Sequence, residues 1–141
     1  MSIVVRDDGF HPEDWQEDIA ALDAAPETLQ GANAPRALDV AGETAPEDLE
    51  ALLPHLAMIR VTFPAFSDGR GFTLAQRLRR MGFAGRLRAT GHVLADQFAM
   101  ARRCGFDEVE IDDALAARQP EPDWLARSDW RAGDYQSRLR G

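Results

Sequence analysis

The chain has 141 residues, of which 45% are apolar and 28% charged, a composition that suits one domain with a real core and excludes a disordered chain. Its formal net charge of -8 disfavours nucleic acid as the main partner. No run approaches the roughly 18 apolar residues of a membrane span, and Arg6, Asp7 and Asp8 stand where a signal peptide needs an apolar stretch, so no membrane contact and a cytoplasmic location are expected.

Ser2–Arg6 suits a short strand, and Pro12–Ala25 is an acidic, weakly amphipathic stretch ending at Pro26. Regular patterning begins near residue 36. Ala37–Val40 reads as a buried strand, and the capping and first-turn chemistry of Glu43 to Asp48 predicts a helix over Pro46–Leu56, with Pro54 at its last turn or a kink. Met58–Phe63, rich in β-branched and aromatic residues, is the next strand and stops at Pro64. Thr73 is placed to cap a helix that carries Leu74, Leu78 and Met81 on one face and ends at Gly82. Leu87–Thr90 is the third strand of this series. A helix over Val93–Arg103 follows, closed by Gly105, then a strand at Val109–Ile111 and a helix near Asp112–Arg118.

Strands alternating with helices at this spacing predict parallel strands joined by right-handed crossovers. The expected fold is α/β: a small parallel sheet of about four or five strands with crossover helices, flavodoxin-like or half-barrel-like. Residues 1–118 form the single domain, with its regular βαβαβ part at about 36–118. Gln119-Pro120-Glu121-Pro122 breaks the pattern, and 119–141 is a C-terminal tail carrying Trp124, Trp130 and Tyr135.

Charge is unevenly spread. Residues 1–59 hold 2 arginines against 13 carboxylates, 60–103 hold 9 against 2, and 104–141 hold 5 against 9. The central excess is either a positive face for a small anion or acidic partner, or an outer surface paired with the acidic flanks.

In parallel α/β folds ligands bind beyond the carboxyl ends of the strands. The loops at that edge are Ala41–Thr44, Pro64–Phe72, Gly91–Val93 and Asp112 with Asp113, so Asp68, Arg70, Thr90 and His92 are expected on one rim. In the loop Asp68-Gly69-Arg70-Gly71-Phe72 the glycines permit close approach to a ligand, the following helix offers free N–H groups, and Arg70 offers a bidentate donor. The alternative is a tight turn in which Asp68 caps the loop and Arg70 pairs with it. Thr90-Gly91-His92 is the second candidate, with Gly91 again permitting close approach and His92 titrating near neutrality. Arg88 is a further anion or partner contact.

No His/Cys/carboxylate spacing resembles a metal site. Cys104 cannot pair internally, one thiol cannot hold an iron–sulfur cluster, and its place at a helix C-terminal end marks it for core packing. No cofactor motif is evident, and no nicotinamide or flavin fingerprint is complete; a flavin bound without a recognisable motif remains open.

The run Phe63-Pro64-x-Phe66-x-Asp68-Gly69-Arg70-Gly71-Phe72, then Leu78-Arg79, Leu87-Arg88-Ala89-x-Gly91-x-Val93-Leu94-x-Asp96-Gln97 and Cys104-Gly105-Phe106-Asp107, resembles the bacterial domain-of-unknown-function family nine-three-four over about residues 36–112. Members of that family are encoded beside the assimilatory sulfite reductase hemoprotein. The resemblance therefore implies an accessory role in reducing sulfite to sulfide, by docking on that hemoprotein, delivering electrons to it or helping assemble it. The other reading is a small enzyme or anion-binding protein that uses Asp68, Arg70, Arg88 and His92 on sulfite or a phosphorylated sulfur metabolite.

Overall fold

Strands β1 (Ser2–Arg6) and β2 (Gly9–Pro12) form a hairpin at one edge of a sheet, and β3 (Ile19–Ala21) lies at the other. Between them run β4 (Ala37–Ala41), β5 (Met58–Phe63), β6 (Arg86–Gly91) and β7 (Glu108–Asp112), in the spatial order β2-β1-β7-β6-β5-β4-β3. The computed structural model describes residues 2–22 and 35–130; the stretch from 23 to Pro26 and the tail residue Tyr135 lie outside them. The strands from β3 to β7 are parallel, and β1 joins β7 antiparallel.

The chain is thus mixed α/β, but its sheet has seven strands rather than four or five. The additional strands, β2 and β3, contain four and three residues, too few for a period-2 pattern to register. They are held by pairing with the longer strands β1 and β4.

The helices also differ in detail. Pro46–Leu56 is not one helix but two short 3-10 segments, Pro46–Asp48 and Glu50–His55, with Pro54 inside the second. Helix α1 spans Arg70–Arg80, so Thr73 lies inside it instead of capping it. The stretch before Arg103 divides into a 3-10 turn, Ala95–Gln97, and α2, Phe98–Arg103. Helix α3 (Asp113–Arg118) is capped by Asp112, whose Oδ1 accepts from the Leu115 N–H at 2.7 Å.

Past the break at Gln119 and Pro120 the chain turns helical again as α4, Glu121–Leu125. Trp124 is buried, donates its Nε1–H to the Gln119 carbonyl at 2.8 Å and meets Phe98 edge-on at 6.1 Å. The first part of the tail therefore belongs to the core. None of the described helices is long and apolar enough to cross a membrane.

Side chains alternate between the faces of each strand. Leu38, Val40, Ile59, Val61, Phe63, Leu87, Ala89, Val109 and Ile111 fall on one face and are buried with Leu74 and Leu78 of α1 and Phe98 of α2. Each large apolar side chain buried there contributes about 1.5–3 kcal/mol. The intervening positions carry Asp39, Arg60, Thr62, Arg86, Arg88, Thr90, Glu108 and Glu110. One face is hydrocarbon, and the other carries these charges together with the buried Val4, Ala37 and Met58.

Candidate functional site

The register brings the charges together. Arg60 on β5 lies directly beside Arg88 on β6, with Asp39 beyond Arg60 and Glu108 beyond Arg88. Two adjacent arginines repel unless carboxylates intervene. Arg60 clamps Asp39 bidentately, at 2.5 Å from Nε and 2.6 Å from Nη2. Arg88, with no exposed surface, donates to Glu108 at 2.6 Å and to Glu13 at 2.5 Å. Glu110 Oε1 then accepts from both guanidinium groups, 3.0 Å from Arg60 and 2.7 Å from Arg88.

Residues 13–15 cross over this face. Asp14 accepts from Arg6 at 2.9 Å and Arg86 at 2.8 Å, and the Arg86 guanidinium lies 5.6 Å from the Trp15 ring. Burial raises the Asp14 pKa, but the hydrogen bonds and charges of Arg86 and Arg6 outweigh it and hold the value at about 2. Burial likewise opposes the charge on Arg88, and its hydrogen bonds and charge contacts with Glu13, Glu108 and Glu110 more than offset that, raising its pKa. Asp39 does the same for Arg60.

The glycine-arginine loop is built differently. The Asp68 carboxylate accepts from the Arg70 backbone N–H at 3.1 Å and from its guanidinium at 3.0 and 2.7 Å. Those bonds lower the Asp68 pKa to about 2. The tight-turn alternative is therefore what this loop adopts, with the Arg70 side chain 61% exposed and also 3.7 Å from Glu43.

Gly71 is needed for packing: a Cβ there would come within 2.5 Å of the Phe63 ring. Phe72 stacks obliquely on Phe63 at 4.9 Å. Gly69 precedes α1 in open space, where a Cβ would meet only Phe72 at 3.9 Å.

Thr90, Gly91 and His92 end β6. Gly91 adopts φ +97°, and a Cβ there would lie 2.6 Å from the Phe63 carbonyl, so both conformation and space require glycine. The His92 ring is exposed and meets Phe66 edge-on at 4.9 Å. These residues line a hollow of about 200 Å³ with Ser2, Glu110 and Arg118. Arg70 instead lines a separate groove of about 380 Å³ between α1 and Gly42–Glu47. All four expected rim residues lie beyond β5 or at the end of β6, but the two candidate motifs open into different depressions, and Arg88 lies buried on the sheet's charged face.

The central arginine excess resolves mainly as pairing with the flanks: Arg60 with Asp39, Arg77 with Glu47, Arg79 with Asp107, Arg86 with Asp14, Arg102 with Asp7. Cys104 is buried, which pushes its thiol pKa up. Among the described residues no group of three or more His, Cys, Asp or Glu side chains is arranged to hold a metal ion.

Glu110, Arg60, Glu108, Glu13 and Ser2 were not among the sequence candidates. For Arg60, Glu108 and Glu110 the signal was phase: like Arg88 they interrupt strands on one face only, whereas strands covered on both faces read as continuous apolar runs.

A family model described as "Bacterial protein of unknown function (DUF934)" matches residues 37–140. No curated protein matches the chain.

Proposed function

The chain belongs to the DUF934 family, and from that premise we propose that it is an accessory protein of assimilatory sulfite reduction that docks on the sulfite reductase hemoprotein. The sulfite part rests on the resemblance carried by the loop at 63–72 and the segments at 87–97 and 104–107. The observation that carries docking over catalysis is how the charges are divided. Arg60 and Arg88 are tied to carboxylates inside the protein, whereas Arg70, Arg77 and Arg80 are exposed along α1. At a spacing of seven and three residues they share one side of the helix.

Exposed pairs such as Arg70 with Asp68 or Arg77 with Glu47 contribute little and exchange partners readily. An acidic partner can therefore take these arginines over. The aromatic tail is a weaker docking element, since Trp124 is buried and Trp130 lies 4.7 Å from the Arg102 guanidinium. The strict chain order from β3 to β7 supports the half-barrel-like reading over the flavodoxin-like one.

Co-purification with the hemoprotein tests the proposal. Retention of the hemoprotein and reduced sulfide production on deletion are expected; no association together with normal sulfide production overturns it. A flavin absorption in the freshly purified protein would shift the role from docking alone to electron delivery.

A further inference from the structure

The hollow beyond β6 and β7 has a lining of mixed sign. Glu110 is nine-tenths buried, Asp112 is an exposed second carboxylate, and the exposed Arg118 lines the same hollow with Ser2, Phe66, Thr90 and His92. Glu110 Oε1 is held by Arg60 and Arg88, and Oε2 accepts over longer distances, 3.2 Å from Arg60 Nη1, 3.4 Å from Ser2 Oγ and 3.5 Å from Thr90 Oγ1. That oxygen has room for a short bond from a stronger donor. Among the described residues Arg118 has neither a hydrogen-bond nor an ion-pair partner.

Carboxylates and an arginine in one lining select against the simple ligands. A bare anion drawn to Arg118 meets the Asp112 and Glu110 carboxylates, and a bare cation drawn to those carboxylates meets Arg118. A molecule with a donor cation at one end and an anion at the other satisfies both. Size narrows the class, because about 200 Å³ is below the roughly 300 Å³ at which pockets for drug-sized ligands begin.

We propose that this hollow is a binding site for a small zwitterion of amino-acid size. Its ammonium faces Glu110 Oε2 and the Ser2 and Thr90 hydroxyls, and its anionic end faces Arg118. The Phe66 ring, set edge-on against His92, forms the apolar side of the site. The site is independent of docking through α1, since neither Arg70 nor Arg77 lines it.

The test is calorimetric titration of the full-length protein with L-serine and with glycine, beside acetate and ethylammonium as the two half-ligands. Saturable binding of a zwitterion is expected, at least about tenfold tighter than either half-ligand, the factor one charged hydrogen bond supplies. Arg118→Gln, at an exposed position, and Thr90→Val, which keeps the side-chain shape, are each expected to weaken it with an unchanged melting temperature. Absence of zwitterion binding at millimolar concentration, acetate binding as tightly as serine, or full affinity in Arg118→Gln would each overturn the proposal.

Discussion

The loop at Asp68–Phe72 and the charged face around Arg88 use the same groups, arginine against carboxylate, in opposite settings. At the loop the pair is local, two residues apart, with the Arg70 side chain exposed and Asp68 half-buried. On the sheet face Arg88 is fully buried and its partners come from Glu13, Glu108 and Glu110, up to 75 residues away. The difference teaches which arginine is available to an acidic partner: Arg88 is committed to holding the strands and the 13–15 segment together, whereas Arg70 can be given up at small cost.

The largest expected effect is at Arg88. Removing one partner of a buried, hydrogen-bonded set leaves uncompensated carboxylates, so Arg88→Ala should lower stability by about 3–5 kcal/mol in urea titration. A loss under about 1 kcal/mol, the range of an exposed pair, would erase the distinction between the two regions. Next in size is Gly71→Ala. Its new methyl would press on Phe63 from 2.5 Å, and overpacking of this kind costs about 1–3 kcal/mol. An unchanged stability would mean that α1 does not depend on this close approach.

Acid sharpens the comparison further. The Asp14 pKa is lowered from 3.8 to about 2 in the fold, so its stabilising contribution is complete above about pH 4 and is lost as pH falls through about 2. The Glu13 pKa is also lowered: burial opposes its charge, and Arg88 and the Trp15 N–H outweigh that. Asp14→Asn should therefore be less stable than the parent at neutral pH, with the difference shrinking between pH 4 and 2 in denaturation curves. A constant difference across that range would remove Asp14 from the ion-pair account. The smallest expected effect is Arg70→Ala, which should leave the melting temperature unchanged.

Much of the architecture was legible because periodicity reports burial. The β5–α1–β6 succession and the stops at Gly82 and Gly105 follow from local patterning, although α1 begins three residues before Thr73. The resemblance-bearing residues also have architectural work that spacing alone does not reveal. Arg79 bonds the carbonyls of Phe83, Gly85 and Gly105 and the Asp107 carboxylate, and Gln97 ties the Leu94 N–H to the Phe66 carbonyl. Glu110 was hidden because its importance arises from β7 lying beside β6 and β1, a long-range pairing with no local signature.

The most direct measurement is retention of the sulfite reductase hemoprotein by the tagged wild-type chain and by an Arg70→Glu, Arg77→Glu, Arg80→Glu variant, with melting temperatures recorded in parallel. Docking through α1 requires that the wild type retain the hemoprotein and that the variant lose it while melting as the wild type does. Equal retention by a folded variant, or no retention by the wild type, would contradict it.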